Sequence, residues 1–334
     1  MSNKPPIEVP QGAIRLNTDS QKLEFFAQDR WYEMATDTPT LDGGARGIFM
    51  GGFLPGNSNR IDYITIPTAG DATDFGDLTV SRGAAGSCAS RTRGLLGGGT
   101  SPNRDTIDFV TISTTGDATD FGNLLDAGHW TQSASNATRG LFAGGNSIGN
   151  VIQFVTIATT GDAQNFGDLT NSTLSNPSVA SNSSNQSPTR AFFGGGTPTT
   201  TSHIEFVNIA TLGNSEQFGD SSTKVAREAR GSSATRALLI GGTRPEPSSS
   251  TIIDYFTMAT LGNAVHFGDS TASHSNSAGS SDSIRVAFAH GNNPSRTDKI
   301  DYVSISTGGN AIDFGDLTAA RDHAGGCSNG HGGL

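Results

Sequence analysis

Cysteine is almost missing from this chain. Cys88 and Cys327 are the only two, so no disulfide framework can stand in for a packed core. Long apolar runs are missing too. No stretch approaches the 18 residues of a membrane-spanning helix, so membrane insertion is not expected. The start, "MSNKPPIEVPQG", has no apolar h-region and is not expected to act as a conventional signal peptide. Positive charge is scarce: 21 Lys and Arg stand against 31 Asp and Glu, a formal net charge of −10. That balance disfavours a nucleic-acid partner, which needs clustered cations to displace counterions. There is no GxSxG, HExxH or P-loop. The seven histidines form no HxH or HxxxH pair.

Glycine is abundant, at 44 residues, and Ser, Thr, Asn and Asp fill much of the rest. That composition suits short strands and tight turns and suits helices poorly. The dominant feature is a repeat. "TAGDATDFG" begins at Thr68, "TTGDATDFG" at Thr114 and "TTGDAQNFG" at Thr159, and looser copies begin at Thr211, Thr260 and Thr307. Three landmarks recur in each unit. The first is an Arg before an apolar run (Arg46, Arg93, Arg139, Arg190, Arg236, Arg285). The second is an Ile (Ile61, Ile107, Ile152, Ile204, Ile253, Ile300). The third is the Phe of "FG" (Phe75, Phe121, Phe166, Phe218, Phe267, Phe314). Successive Phe landmarks lie 46, 45, 52, 49 and 47 residues apart, the size of one four-stranded propeller blade.

Each unit divides into four strand-like pieces, a to d. In the second unit these are "SRGAAGSCAS", "RGLLGGG", "TIDFVTIST" and "ATDFGNL". Gly with Asp or Asn between c and d signals a hairpin. Ile and Phe stand 14 residues apart in all six units, whereas Arg and Ile stand 13 to 17 apart. The c–d hairpin is therefore fixed and the b–c loop varies. An insertion of six residues falls before Arg190. The nine-residue motif reads as a lock on hairpin register. Its Phe reads as a core side chain between blades, and the following Gly as a bulge or close approach.

The first clear unit begins at strand b, "ARGIFMGG". The chain ends in what reads as a lone strand a, with Cys327 placed 13 residues after Phe314 just as Cys88 follows Phe75. The economical fold is all-β: a six-bladed propeller over residues 45–334, whose first blade is completed by residues of about 319–330. Closure of this kind removes open sheet edges. Residues 1–44 stand outside the repeat as an extended Pro-rich arm and a short β-hairpin module, with turns at "NTDSQK" and "AQDR".

The repeat resembles the kelch-type β-propeller on "GLLGGG", Phe109 and Phe121, preceded by Arg82. It departs in placing Phe where kelch repeats usually place Trp. The first module resembles one that recurs in bacteriophage tail-fibre and appendage proteins. Gly12, Ile14, Arg15, Asn17, Thr18, Asp19, Lys22, Leu23, Glu24 and Trp31 carry the match, and the closing "CSNGHGGL" resembles virion proteins of aquatic phages. The resemblance implies a non-enzymatic virion protein, made in the host cytoplasm. Residues 1–44 would join other virion proteins, or trimerise as phage fibres commonly do. The propeller would bind a host-surface glycan or protein. A capsid-decorating or connector protein is one alternative. A kelch-type enzyme is another, though no Tyr–Cys–His set for a copper radical stands out.

Metal and cofactor sites are not expected. Asp71, Asp74 and Asp77 suggest calcium, but other units carry Asn214, Gln217, Asn263 and His266 at these places, as surface turns do. His129, His274 and His323 read as lying on strand a pieces near the axis. Cys88 and Cys327 read as free, buried thiols. The six landmark arginines are expected to pair with carboxylates such as Asp62, Asp108, Glu205, Asp254 and Asp301. Antiparallel strands put the b–c and d–a loops on one face. Function is assigned to that face, with Arg60, Asn103, Arg104, His203, Arg244, Arg296 and Lys299 as the candidate binding residues.

Overall fold

The invariant 14-residue step from Ile to Phe spans one hairpin, and the fold is six such hairpins with two further strands added to each. The computed structural model describes residues 9–17, 22–33, 45–170, 185–196, 201–244, 248–292 and 294–334. The turn at "NTDSQK", the end of the N-terminal segment, most of the insertion before Arg190 and parts of three b–c loops lie outside the described residues. Backbone contacts divide the chain into Met1–Gly43 and Gly44–Leu334. No helix occurs among the described residues.

The first unit is a three-stranded antiparallel sheet: β1 (Ile14–Asn17), β2 (Lys22–Ala27) and β3 (Arg30–Glu33). The sequence reads as two or three short strands joined by turns at "NTDSQK" and "AQDR", and the sheet has three. Gln28 and Asp29 both take positive φ, 48° and 59°, as a two-residue hairpin turn requires. Four residues of the quoted motif meet across this sheet. Arg15 Nε donates to Glu24 at 2.8 Å, Asn17 Nδ2 donates to Glu24 at 3.0 Å, and the Arg15 guanidinium lies 4.0 Å above the Trp31 ring. The Asn17 hydrogen bond, then Arg15, holds the Glu24 carboxyl below its usual range.

The second unit begins with β4 (Arg46–Met50), β5 (Arg60–Thr65) and β6 (Thr73–Asp77). Four-stranded sheets follow. The second is β7 (Gly86–Ala89), β8 (Arg93–Gly97), β9 (Arg104–Thr111) and β10 (Thr119–Gly128). The third is β11 (Gln132–Ser135), β12 (Arg139–Ala143), β13 (Val151–Thr156) and β14 (Gln164–Asp168). The fourth is β15 (Asn185–Gln186), β16 (Arg190–Gly194), β17 (Thr201–Asn208) and β18 (Glu216–Val225). The fifth is β19 (Ala229–Ser232), β20 (Arg236–Ile240), β21 (Ser250–Thr257) and β22 (Val265–His274). The sixth is β23 (Ala278–Ser281), β24 (Arg285–Ala289), β25 (Lys299–Ser304) and β26 (Ile312–Asp316). The last strand, β27 (Gly325–Ser328), pairs antiparallel with β4, Cys327 opposite Ile48, and makes the first sheet four-stranded. All these pairings are antiparallel, consistent with a propeller.

Apolar clusters sit between consecutive sheets. Phe75 packs with Leu96 and Val110, Phe121 with Phe142 and Val155, and Phe314 with Phe49 and Ile64. Each motif Phe meets an aromatic of its own c strand edge-on, as Phe121 meets Phe109 at 5.9 Å. The Phe also sits in a bulge: the register of β9 and β10 shifts between Asp120 and Gly122. The a strands are made of small residues because they nearly touch. Ser133 Oγ donates to Ser87 O at 2.6 Å, Ser135 Oγ to Ala89 O at 2.8 Å, and Ser232 Oγ to Gln186 O at 2.9 Å. Beyond β27, the tail lies against these strands. His331 Nε2 is 2.8 Å from Ala89 O, and Gly332 N donates to Ser232 O at 2.9 Å.

The motif does more than set hairpin register; it clasps one sheet to the next. A β-carbon on Gly122 would stand 2.5 Å from the Gly161 carbonyl oxygen, and one on Gly76 would stand 2.5 Å from that of Gly116. Gly161 N donates to Phe121 O at 2.8 Å, and Asp162 Oδ1 accepts Asn123 N at 2.9 Å. The turn carboxylates are thus hydrogen-bond acceptors for the preceding sheet. Asn serves equally well: Asn214 Oδ1 accepts Asp168 N at 3.0 Å. That is why Asp and Asn exchange here.

The landmark arginines correct the sequence reading, for they do not pair with those carboxylates. Arg139 Nη1 donates to the carbonyls of Ile209 and Ala210 at 2.8 and 3.0 Å, and Arg93 donates to Ile157 O at 3.0 Å. Each guanidinium also covers the aromatic of its own sheet, as Arg93 covers Phe109 at 4.6 Å and Arg46 covers Tyr63 at 4.9 Å. A planar cation with five donors does both at once. The tyrosines at this position are half-buried beneath an arginine.

Candidate functional site

The b–c loops meet the d–a connections. Isolated bridges join Phe53 to Asp322, Gly83 to Thr100, His129 to Asn146, Ala226 to Thr243 and Ser275 to Asn292. Loops of neighbouring sheets also interlock: Asn57 Nδ2 donates to Thr100 O at 3.0 Å, and Asn103 Nδ2 to Ser147 Oγ at 3.1 Å.

The seven sequence-predicted residues are distributed over five sheets. Arg60, His203 and Lys299 occupy one register position, opposite Asp77, Asp220 and Asp316. Arg60 Nη1 donates to Thr318 Oγ1 at 3.0 Å, His203 Nδ1 lies 3.2 Å from Asp220, and exposed Lys299 lies 3.9 Å from Asp316. Asn103 and Arg104 sit at the start of β9. Arg296 reaches inward to Asp322, Nε to Oδ1 at 3.0 Å. Arg244 does not belong on the surface. It is buried, it pairs with Asp254, and its Nε donates to Gly241 O at 2.9 Å. Its sequence neighbours are polar, and nothing in a loop string signals that one member turns into the core.

The buried carboxylates of the c strands take other partners. Asp108 pairs with Arg82 at 3.0 Å and Asp62 with Arg321 at 3.1 Å, both fully buried, and Asp301 pairs with His290 at 2.8 Å. Burial lowers both arginines from their ordinary values, against the pull of their carboxylates. Burial opposes ionisation of Asp301, but the His290 and Thr271 hydrogen bonds outweigh it and hold the carboxyl low. Each of these acids also grips the preceding sheet, as Asp108 accepts Thr79 N at 3.0 Å and Thr79 Oγ1 at 2.7 Å. Cys88 and Cys327 are free and buried, and burial raises both thiols, Cys327 to about 12.

The predicted axial histidines are not on a strands. His274 ends β22, and His129 and His323 lie in d–a connections. Those connections hold what the sequence reading missed. Ala84, Trp130, Arg227, Asn276 and His323 each precede an a strand by two residues, and all have positive φ, from 54° to 65°. The sixth equivalent lies outside the described residues. Backbone hydrogen bonds run between them: Trp130 N to Ala84 O at 2.6 Å, Ala84 N to His323 O at 3.0 Å, and His323 N to Asn276 O at 3.0 Å. The side chains that result are diverse. Trp130 and His129 have ring centroids 4.2 Å apart, and Phe53 and His323 5.1 Å. Burial lowers His129 from its ordinary value. At Asp322, burial works toward protonation, but His323 and Arg296 outweigh it and keep the carboxyl low. The signal available in the sequence was position alone: each of these residues follows its motif Phe by nine. Among the described residues, no group of three or more His, Cys, Asp or Glu side chains is placed to hold a metal ion.

What the geometry defines is an all-β protein of repeated four-stranded antiparallel sheets. No family model matches the chain, and no curated protein matches it.

Proposed function

We propose that residues 45–334 form a six-bladed propeller closed by β27. We further propose that the chain is a non-enzymatic bacteriophage virion protein, a tail-fibre or appendage subunit whose loop face meets the host surface. Support for the wheel comes from inter-sheet devices that return to the first sheet. Gly315 packs on Gly70, Arg285 donates to Pro67 O at 2.8 Å, and Thr318 Oγ1 donates to Asp62 at 2.7 Å. Support for a binding role rests on one observation, a division of labour within the repeat. The motif Arg, Phe, Gly and Asp or Asn are occupied in holding sheets together, whereas the side chains of the d–a annulus and b–c loops differ from unit to unit. Buried acids engaged with arginine or histidine are structural, which favours a scaffold over an enzyme. The virion assignment rests on the likeness of residues 12–31 to the phage module, whose Arg15, Asn17, Glu24 and Trp31 form one cluster.

Antibodies against the chain, applied to intact particles under the electron microscope, test this reading. Label on the tail or its appendages, together with blocked adsorption to cells, is expected. Label confined to the capsid with adsorption unchanged contradicts it.

A further inference from the structure

We infer that residues 330–334 are a stopper wedged among the a strands, and that acid releases it through His331. Seating is the first ground. The segment follows β27 and touches all six sheets or the turns beside them. A β-carbon on Gly330 would meet Ala45 Cβ at 2.6 Å and Asp282 Cβ at 3.2 Å, beside the first and sixth sheets. His331 Nε2 is 2.8 Å from Ala89 O and 3.3 Å from Ser135 Oγ, in the second and third. Gly332 N donates to Ser232 O at 2.9 Å in the fifth, and a β-carbon on Gly332 would meet Gln186 O at 2.7 Å in the fourth. Ala89, Ser135, Gln186 and Ser232 are each last in their a strand, so the segment crosses one end of those strands. On its inner side it closes a small polar cavity, whose wall includes Gln186, Arg230, Ser281, Cys327, Ser328 and His331 itself.

The imidazole ring is the second ground. Gly333 N donates to His331 Nδ1 at 3.1 Å. One N–H cannot accept another, so Nδ1 is bare and the ring proton sits on Nε2, toward Ala89 O. A second proton has only Nδ1 to go to. It breaks the Gly333 hydrogen bond and sets a charge inside the protein. Arg91 opposes that charge, and the cavity wall adds a second cation, Arg230, and the neutral thiol of Cys327. Asp282, the carboxylate beside the segment, is already taken by Ile284 N at 2.7 Å and Arg285 N at 2.6 Å. Burial above all pushes the ring down to about 4, although the Ala89 carbonyl pulls the other way. In water a histidine titrates near 6.5. The released segment therefore holds the proton more tightly, and release is favoured as pH falls from about 6.5 toward 4. The strand before it does not depend on this ring, because β27 is held to β4 by backbone pairing from Gly325 to Ser328. The segment opens locally, with the sheets in place.

Hydrogen exchange read by mass spectrometry on the full chain tests the inference, with rates corrected for the intrinsic effect of pH. Protection of the peptide containing residues 330–334 is expected to fall about 100-fold between pH 7 and pH 4, while peptides of β24 keep theirs. The His331 ring signal in NMR, identified by its loss in His331→Asn, is expected to shift over the same range. His331→Asn keeps an acceptor and cannot take the charge, so its segment is expected to stay protected in acid. His331→Lys carries the charge at neutral pH and is expected to free the segment there. Equal protection at both pH values overturns the inference. So does a loss in acid that is as large in His331→Asn, or one that occurs without a shift of the ring signal. Exposure of β24 together with the segment also overturns it, because that is unfolding of the whole.

Discussion

At Asp162 a single oxygen explains a residue choice. Its Oδ1 accepts a backbone N–H of the sheet before it, so an amide oxygen does as well and a methyl does not. Asp162→Asn should therefore leave stability within about 0.5 kcal/mol, whereas Asp162→Ala should cost about 0.5–1.5 kcal/mol; urea unfolding distinguishes them. Gly122 is less tolerant. Its neighbour is the Gly161 backbone, not a flexible side chain, and its φ is 146°. Gly122→Ala should cost about 1–3 kcal/mol or more, since the sheets must part to admit the methyl. His331 predicts a pH effect. Gly333 N donates to its Nδ1 at 3.1 Å, and Nε2 faces Ala89 O at 2.8 Å. That is a neutral ring with one acceptor and one donor. Burial, the largest cause, pushes its pKa down to about 4. Between that value and the unfolded histidine value near 6.5 the unfolded chain binds the extra proton, so stability falls as pH falls through this window. The loss is about 3 kcal/mol at most, and His331→Asn should flatten that part of a stability-against-pH curve.

At the scale of strands and sheets, the legible part was the hairpin. A constant 14-residue step, a Gly–Asp turn and alternating apolar residues gave strands c and d, because local turn geometry sets their register. Strand a was overdrawn. "SRGAAGSCAS" contributes only Gly86–Ala89, since the preceding residues form the positive-φ turn. The arginines were misread because a carbonyl acceptor leaves no trace in sequence, whereas a carboxylate does. Arg244 was misread for the opposite reason: a charged residue in a polar loop gives no sign of the buried Asp254 beneath it. The positive-φ positions of the d–a connections escaped notice because they share an offset and no residue type. The buried pair Arg82–Asp108 carries the prediction at this scale. Asp108→Ala strands a fully buried cation and should cost about 3–5 kcal/mol. The double variant Asp108→Leu with Arg82→Met should recover much of that loss, as a denaturant series on the parent and the two variants would reveal.

For residues 45–334 as a whole, β27 decides the outcome. Without it, β4 presents an unpaired edge, and the serine bridge from Ser87 to Gly326 O at 3.0 Å disappears. Removal of residues 325–334 should therefore give an aggregating chain with no cooperative transition, whereas removal of 331–334 should leave a folded one. The most direct measurement is a cross-link. Cys327 stands opposite Ile48 in the β27–β4 pair, within the Cα separation that a disulfide spans. In an Ile48→Cys, Cys88→Ala chain under mild oxidation, the account predicts a single disulfide joining the peptides that contain residues 48 and 327, with a raised thermal midpoint. Two thiols that stay reduced and alkylate only on unfolding, with no linked peptide, would contradict it.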